Sequence, residues 1–261
     1  MKLKYLICGA MAAAAAVSGQ AQTVNFSAHY DISAAVDAKR AKDHPDMARY
    51  AEKMIGMFGG AIPVGGVTDT VALTPTTYRI TSSGKAAMAI SAVLPGDTLV
   101  RTSEGTAGGG AYLTSRRFSE TRGNGQPRLV TLDYGQKIAA YYKGGKITKR
   151  EAIKYRTADV AALPYLFYKQ PLPKAETTIA ATDGISTRLM SFVPGKDVVK
   201  LGGATIPAVK LTRKAYNRDD AMIELWLRES DGFPLRVRLD LNAKYGVVFD
   251  QRLTALPALP R

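Results

Sequence analysis

Few side chains in this chain are suited to chemistry. Among the usual nucleophiles, bases and metal ligands, the 261 residues include one cysteine, Cys8, and two histidines, His29 and His44. Neither histidine stands at a metal-ligand spacing from a second strong ligand. His44 lies in Asp43-His44-Pro45-Asp46, a grouping that would suit a cation, but the start signal of a helix accounts for the same residues. There is no Gly-x-Ser-x-Gly elbow, no His-Glu-x-x-His pair and no acid pair on a shared loop. Gly105, Gly108, Gly109 and Gly110 look like a phosphate cradle only in composition, because no strand-then-helix signal surrounds them and no lysine follows; they predict a bent strand. The expectation is a non-enzymatic protein with no catalytic residues, no metal and no cofactor.

The first residues carry a different message. Lys2 and Lys4 precede an apolar, alanine-rich run from Tyr5 to Val17, and Gly19-Gln20-Ala21 places small residues where a signal peptidase reads. Residues 1–21 are therefore read as a cleavable export signal, with cleavage after Ala21. Cys8 falls too early in the run to carry a lipid, so a mature chain without cysteine is expected, with no disulfide and no thiolate ligand. No second run approaches the roughly twenty apolar residues of a membrane span, so the chain is not expected to be an integral membrane protein. The formal charge of +14 falls by two when Lys2 and Lys4 leave with the leader. Basic residues such as Lys143, Lys146, Lys149, Arg150, Lys154 and Arg156 are scattered and belong to no nucleic-acid motif. For an exported protein, the anionic partners to expect are lipid head groups, lipopolysaccharide and cell-wall polymer, not nucleic acid.

The mature chain of roughly 240 residues is long enough for a single domain with a real core. Thr23 to Ile32 alternates as a strand, with Val24, Phe26, Ala28 and Tyr30 on one face. The period then changes. Met47, Tyr50, Ala51, Met54, Ile55 and Phe58 fall at three- and four-residue spacing between Asp43-Pro45 and Gly59-Gly60, which predicts an amphipathic helix of about 14 residues. This makes a helical insert near residues 34–60. Its methionines Met47, Met54 and Met57, with Phe58, are suited to a pliable lid over an apolar ligand, although such a stripe is also the ordinary mark of core packing. Strands are predicted at 76–82, 85–94, 98–106, 112–122, 128–134 and 137–142, the pattern of an antiparallel barrel or sandwich. A short helix is predicted over 157–168, begun by Thr157 and Asp159. It ends in Tyr165, Phe167 and Tyr168, which suit either the mouth of a ligand cavity or a plug at one end of a barrel.

The C-terminal third predicts a hairpin in detail. Ile223, Leu225 and Leu227 alternate with Glu224, Trp226 and Arg228, and Leu235, Val237 and Leu239 alternate with Arg236, Arg238 and Asp240. One shared apolar face requires Leu227 opposite Leu235, leaving Ser230-Asp231-Gly232 as a three-residue loop with left-handed glycine. Glu224 then faces Arg238, and Trp226 stacks beside Arg236. Val247, Phe249 and Leu253 extend the apolar face onto a third strand, with Gln251 unexplained among them.

Leu225-Trp226-Leu227, the run from Asp231 to Arg236 and the later Gly246 resemble a pattern in an exported proteobacterial family catalogued as domain of unknown function 3108. Tyr78-Arg79-Ile80 with Gly84, Tyr112 to Phe118 with Glu120 and Arg122, Asp183-Gly184 and Gly202-Gly203 fit that family in order. The similarity runs over residues 71–256, outside the helical insert, and departs from the family at Thr114, where proline is usual. It implies a periplasmic protein whose curved antiparallel sheet forms a half-barrel or open barrel, all-β with one or two short helices. It brings no catalytic residues. The expected function is to hold an apolar or lipid-like ligand in a curved-sheet cavity, lined by Met47, Met54, Phe58, Tyr165, Phe167, Tyr168, Trp226 and Arg236. The alternative is a scaffold whose basic face contacts anionic lipid, lipopolysaccharide or cell wall; an enzyme with a site hidden in sequence ranks last.

Overall fold

The computed structural model describes residues 23–41, 45–57, 59–87, 97–108, 111–217, 221–241 and 246–258. Fifteen strands join in one sheet: β1 Val24–Val36, β2 Ile62–Leu73, β3 Thr77–Ala86, β4 Thr98–Gly108, β5 Ala111–Arg122, β6 Arg128–Asp133, β7 Ile138–Lys143, β8 Lys146–Ala152, β9 Thr157–Asp159, β10 Thr177–Thr182, β11 Thr187–Leu201, β12 Ala204–Arg213, β13 Met222–Arg228, β14 Pro234–Asp240 and β15 Val247–Leu253. All pairings are antiparallel except β9 with β10. The order is β8-β7-β6-β5-β4-β3-β2-β1-β15-β14-β13-β12-β11-β10-β9. The first strand therefore pairs with the last at the centre, and the two free edges come from mid-chain.

The sheet curls on itself. Alternation puts Val24, Phe26, Ala28 and Tyr30 of β1 on the inner face, with Val67 and Val71 of β2, Tyr78 and Ile80 of β3 and Phe118 of β5. Across the curl, the Tyr141 hydroxyl of β7 lies 2.8 Å from Thr187 Oγ1 of β11. Inside lies the chain's own segment from Thr157 to Tyr168. It begins as β9, turns at a short 3₁₀ helix over Leu163–Tyr165, and buries Ala161, Ala162, Leu163, Tyr165, Leu166, Phe167 and Tyr168. The short helix predicted over 157–168 is therefore corrected to a strand and a 3₁₀ turn. Asp159 does cap, its Oδ1 accepting from Ala161 N at 2.9 Å and Ala162 N at 3.0 Å. However, Pro164 and burial on every side replace a helix with a plug.

The amphipathic helix α1 spans Pro45–Gly56 and buries Ala48 and Ile55. It ends as its glycines predict: Gly60 N donates to Ile55 O at 3.2 Å, with Gly59 and Gly60 left-handed. Among the described residues no helix is long and apolar enough to cross a membrane. The strands predicted at 76–82 and 85–94 resolve into one strand, β3, that ends at Ala86; residues 88–94 lie outside the described ones. At Gly105 and Gly108 the strand is irregular, the β4–β5 register shifting between Glu104 and Gly105 and again between Thr106 and Gly108, while Gly109 and Gly110 lie outside the described residues.

The C-terminal hairpin pairs Ile223 with Leu239, Glu224 with Arg238, Leu225 with Val237 and Trp226 with Arg236. Leu227, however, faces Pro234 and not Leu235, because the register slips after Trp226. The turn closes by Arg228 N donating to Phe233 O at 2.8 Å, so four residues lie between those two in place of the three-residue loop. Asp231 dictates this closure: it pairs with Arg228 and accepts from Phe233 N at 3.1 Å. Gly232 is left-handed as predicted, at φ 73°. Gln251 lies beside Val237 and Ile32, half-buried near the end of the apolar face.

Candidate ligand-binding site

Buried polar groups hold the plug. Ser103 Oγ donates to Asp159 Oδ2 at 2.5 Å, and Asp159 N donates to Ser115 Oγ at 2.9 Å. The Tyr78 hydroxyl lies within 3.0 Å of Ser103 Oγ and 2.9 Å of Ser115 Oγ. Further along, the Tyr165 hydroxyl lies 2.9 Å from Asp69 Oδ2 and 3.1 Å from the Tyr30 hydroxyl, which donates to Pro234 O at 3.1 Å. Burial pushes the carboxyls of Asp69 and Asp159 above the usual carboxylate range, against the pull of their hydrogen bonds. Asp69 belongs to a polar row across the inner face, Asp69-Ser82-Arg101-Glu120-Arg128, each opposite the next on successive strands β2 to β6. Burial alone would raise Glu120, but Arg101 Nε at 2.7 Å and Arg122 Nε at 2.8 Å outweigh it and hold the carboxyl low.

These contacts place the aromatic residues predicted to line a cavity. Tyr165 and Tyr168 pack with Phe26 and Phe233, and Phe167 meets the Tyr112 ring edge-on at 4.7 Å between centroids. They fill the centre of the barrel. Trp226 is buried in the same hydrophobic cluster as Tyr165 and Tyr168, with Arg236 half-buried beside its ring. The indole lies between Lys210 and Arg236, 4.8 Å and 4.3 Å from its centroid, and donates Nε1–H to Asp197 Oδ2 at 2.8 Å. Arg236 in turn grips Asp250 through two bonds of 2.7 Å. Of the helix residues, Met47 and Met54 lie on α1 with side chains outside the described ones, as is the whole of Phe58, while Met57 is exposed. His29 pairs across β1–β2 with Thr68, Nδ1 to Oγ1 at 2.5 Å, and His44 lies outside the described residues. Among the described residues no group of three His, Cys, Asp or Glu is placed to hold a metal.

Open space lies at the end of the sheet carrying the β4–β5 and β6–β7 turns. One cleft of about 380 Å³ is lined by Arg116, Thr131, Leu132, Asp133, Tyr134 and Gly135. A second, of about 300 Å³, is lined by Thr106, Ala107, Gly108, Tyr112, Thr114, Arg116, Tyr134 and Arg156. Arg116 and Tyr134 belong to both. Arg116 owes its position to a bulge. Glu104 pairs with Arg117 and Gly105 with Ser115, so two residues separate the inward Ser115 and Phe118 where regular alternation allows one. Tyr134 ties the clefts to the plug, accepting from Thr157 N at 3.1 Å and donating to Thr157 O at 3.3 Å. Burial raises the Tyr134 hydroxyl, and its bonds to Thr157 and the charges of Arg116 and Arg156 pull it back. Arg156 counted only as one of several scattered cations in the sequence, and nothing there marked Arg116, because a bulge has no pattern beyond the nearby glycine.

A single sheet curled around its own chain defines an open, β-barrel-like protein. Residues 49–252 match the family described as protein of unknown function (DUF3108), and the chain belongs to that family. The match begins inside α1, further upstream than the resemblance in sequence suggested. Among solved structures, the crystal structure of a beta-barrel-like protein of domain of unknown function DUF1849 from Brucella abortus is similar in fold, with a TM-score of 0.54 at 10% identity, covering 91% of this chain and 98% of that one. No curated protein matches the chain.

Proposed function

We propose that this protein is a non-enzymatic component of the periplasmic envelope that binds a lipid-like, amphipathic ligand at one end of its barrel. The observation that carries this reading is the division of space: the 157–168 segment occupies the centre, and two adjoining clefts of about 380 and 300 Å³ remain at the end. Volumes of that order are typical of small-molecule sites. Leu132, Ala107 and Tyr112 supply apolar wall, and Thr106 and Thr131 supply hydroxyls. The export signal in residues 1–21 supports the periplasmic location. The non-enzymatic reading is supported by the buried carboxyls of Asp69, Asp159 and Glu120, each committed to internal bonds. Native mass spectrometry of protein purified from the periplasm tests the proposal. A co-purified amphiphile is expected, on a chain beginning at Gln22. Protein that carries no added mass and takes up no added amphiphile would overturn the binding, and a retained leader would overturn the location.

A second reading, contact with an anionic envelope surface, is favoured by β8, an edge strand with an exposed surface whose Lys146 and Arg150 have no carboxylate partner among the described residues. Electrostatic adhesion weakens steeply as salt rises, whereas an amphiphile held in a cleft stays.

A further inference from the structure

We infer that Arg116 and Arg156 form a phosphate-binding pair, so that the amphiphile of the reading above, on which this inference rests, carries a phosphate head. Ten arginines of the described residues are engaged by carboxylates: Arg101, Arg122 and Arg128 by Glu120 alone, Arg49 by Asp46 of its own helix, Arg40 by Asp240 of β14, and the rest by partners on their own or neighbouring strands and turns. Arg116 and Arg156 have no such partner, and both line the same cleft. An arginine left without a counter-ion on a surface this rich in acid-base pairs is either merely solvated or reserved for an anion from outside. Three features favour the second. The bulge in β5 adds a residue to the strand at Arg116. Tyr134, fixed by two bonds to Thr157, stands where both guanidinium charges act on its hydroxyl. Finally, the cleft that both arginines line also carries Thr106 and Tyr112 and no carboxylate, while the Thr114 hydroxyl is spent on Tyr112 O at 3.2 Å. The acid of the neighbouring cleft, Asp133, is turned to its own turn, accepting from Gln136 N at 2.9 Å.

Charge and oxygen count favour phosphate. A carboxylate carries a single charge on two oxygens, although it too can be met by more than one guanidinium, as Glu120 is by Arg101 and Arg122. A terminal phosphate has three oxygens and double charge near neutral pH, enough for two forks and a hydroxyl. The apolar remainder of the ligand then runs along Leu132 in the neighbouring cleft, past Arg116 and Tyr134, which the clefts share.

Calorimetry with dodecylphosphate, dodecyl maltoside and inorganic phosphate tests this on the wild type, on Arg116→Gln/Arg156→Gln, and on Arg188→Gln/Lys200→Gln. The last removes two exposed cations of β11 outside the clefts. Dodecylphosphate is expected to bind the wild type best and to weaken by about tenfold for each cleft arginine lost, with the control pair unchanged. Equal loss in both double variants would mean a general effect of charge and would overturn the pair. Dodecyl maltoside binding as well as dodecylphosphate would keep an amphiphile site and overturn the phosphate head. Inorganic phosphate binding as tightly as dodecylphosphate would keep the arginine pair and overturn the amphiphile. No binding by any probe overturns both readings. Cations this exposed are not expected to be needed for folding, and unchanged thermal midpoints in both variants verify that.

Discussion

Two glycines with nearly the same backbone make a controlled experiment on the plug. Gly232 has φ 73° and Gly203 has φ 82°, so alanine at either position incurs the left-handed strain of about 1 kcal/mol. Their surroundings differ. A Cβ on Gly203 meets nothing within 4 Å, whereas one on Gly232 would stand 2.0 Å from Phe167 O and 2.7 Å from Phe167 C. Those are backbone atoms of the plug and cannot swing aside. Relief requires the hairpin and the plug to separate by more than an ångström, which breaks the 2.7 Å bond from Lys169 N to Asp231 O and loosens the fully buried Phe167 ring. A lost hydrogen bond costs about 1 kcal/mol and the forced shift in the core about 1–3 kcal/mol more. Gly203→Ala should therefore cost about 1 kcal/mol and Gly232→Ala about 3–5 kcal/mol. At about 2–4 °C per kcal/mol for a chain of this size, the thermal midpoints should fall by ~3 °C and ~10 °C or more. Urea unfolding monitored by Trp226 fluorescence, with scanning calorimetry beside it, measures both. Equal losses in the two variants would refute the close approach and the packing of the plug against the hairpin.

Asp69 gives a prediction with a sign. The Tyr165 hydroxyl donates to Asp69 Oδ2 at 2.9 Å and the Tyr30 hydroxyl to Pro234 O at 3.1 Å, so the buried carboxyl ends a chain of phenols that joins β2, the plug and the hairpin. That carboxyl is raised above its unfolded value, with Ser82, Tyr165, Tyr30 and, on the next strand, Arg101 facing it; the stability it contributes is full below the unfolded pKa and lost as pH rises through the folded one. Asp69→Asn avoids that loss, so its thermal midpoint relative to wild type should climb as pH rises from the carboxylate range towards 8, and a constant difference would count against a buried titrating acid. Glu120 behaves oppositely. Its lowered carboxyl stabilises the fold above the unfolded pKa and ceases to do so as pH falls through the folded one. Arg101→Ala should cost about 1–3 kcal/mol at neutral pH, less than a fully buried pair because Arg122 remains, and the deficit in urea titrations should shrink in acid. A deficit independent of pH would mean that packing and not charge is lost.

The parts of the fold visible in sequence are those where each residue has one inside and one outside. In β13 and β14 strict alternation fixed the faces, and the structure joins Glu224 to Arg238 at 3.1 Å and stacks Arg236 on Trp226 as expected. The slip at Leu227 was hidden because it depends on how Asp231 closes the turn, a matter of side-chain geometry that the two-residue period does not record. The same limit applies at both edges of the sheet. Lys146 to Ala152 is exposed along most of its length and shows no apolar period, so β8 had no signal, while Ala158 to Tyr168 is buried almost throughout and imitates a helix start through Asp159. The site was the least legible part. Met47, Met54 and Phe58 stood out by spacing, whereas the clefts are walled by threonines, a bulged arginine and turn residues drawn from β4, β5, β6 and the segment before β9.

The pairing of the first strand with the last also sets a timetable. A chain made from its N-terminus displays β1 long before β15 exists, and the backbone bond from Thr254 N to His29 O joins residues 225 apart. Until the final strand emerges, β1 can zip only to β2, and its other side waits as an open row of donors and acceptors on one of the most apolar stretches of the protein. Folding that depends on so distant a closure is slow, and the waiting edge invites pairing between chains. Loss of residues 247–261, which include all of β15, would therefore do more than trim a terminus. It would divide one continuous ribbon into two, leave β1 and β14 as fresh borders, and turn a self-contained molecule into one that adheres to its copies.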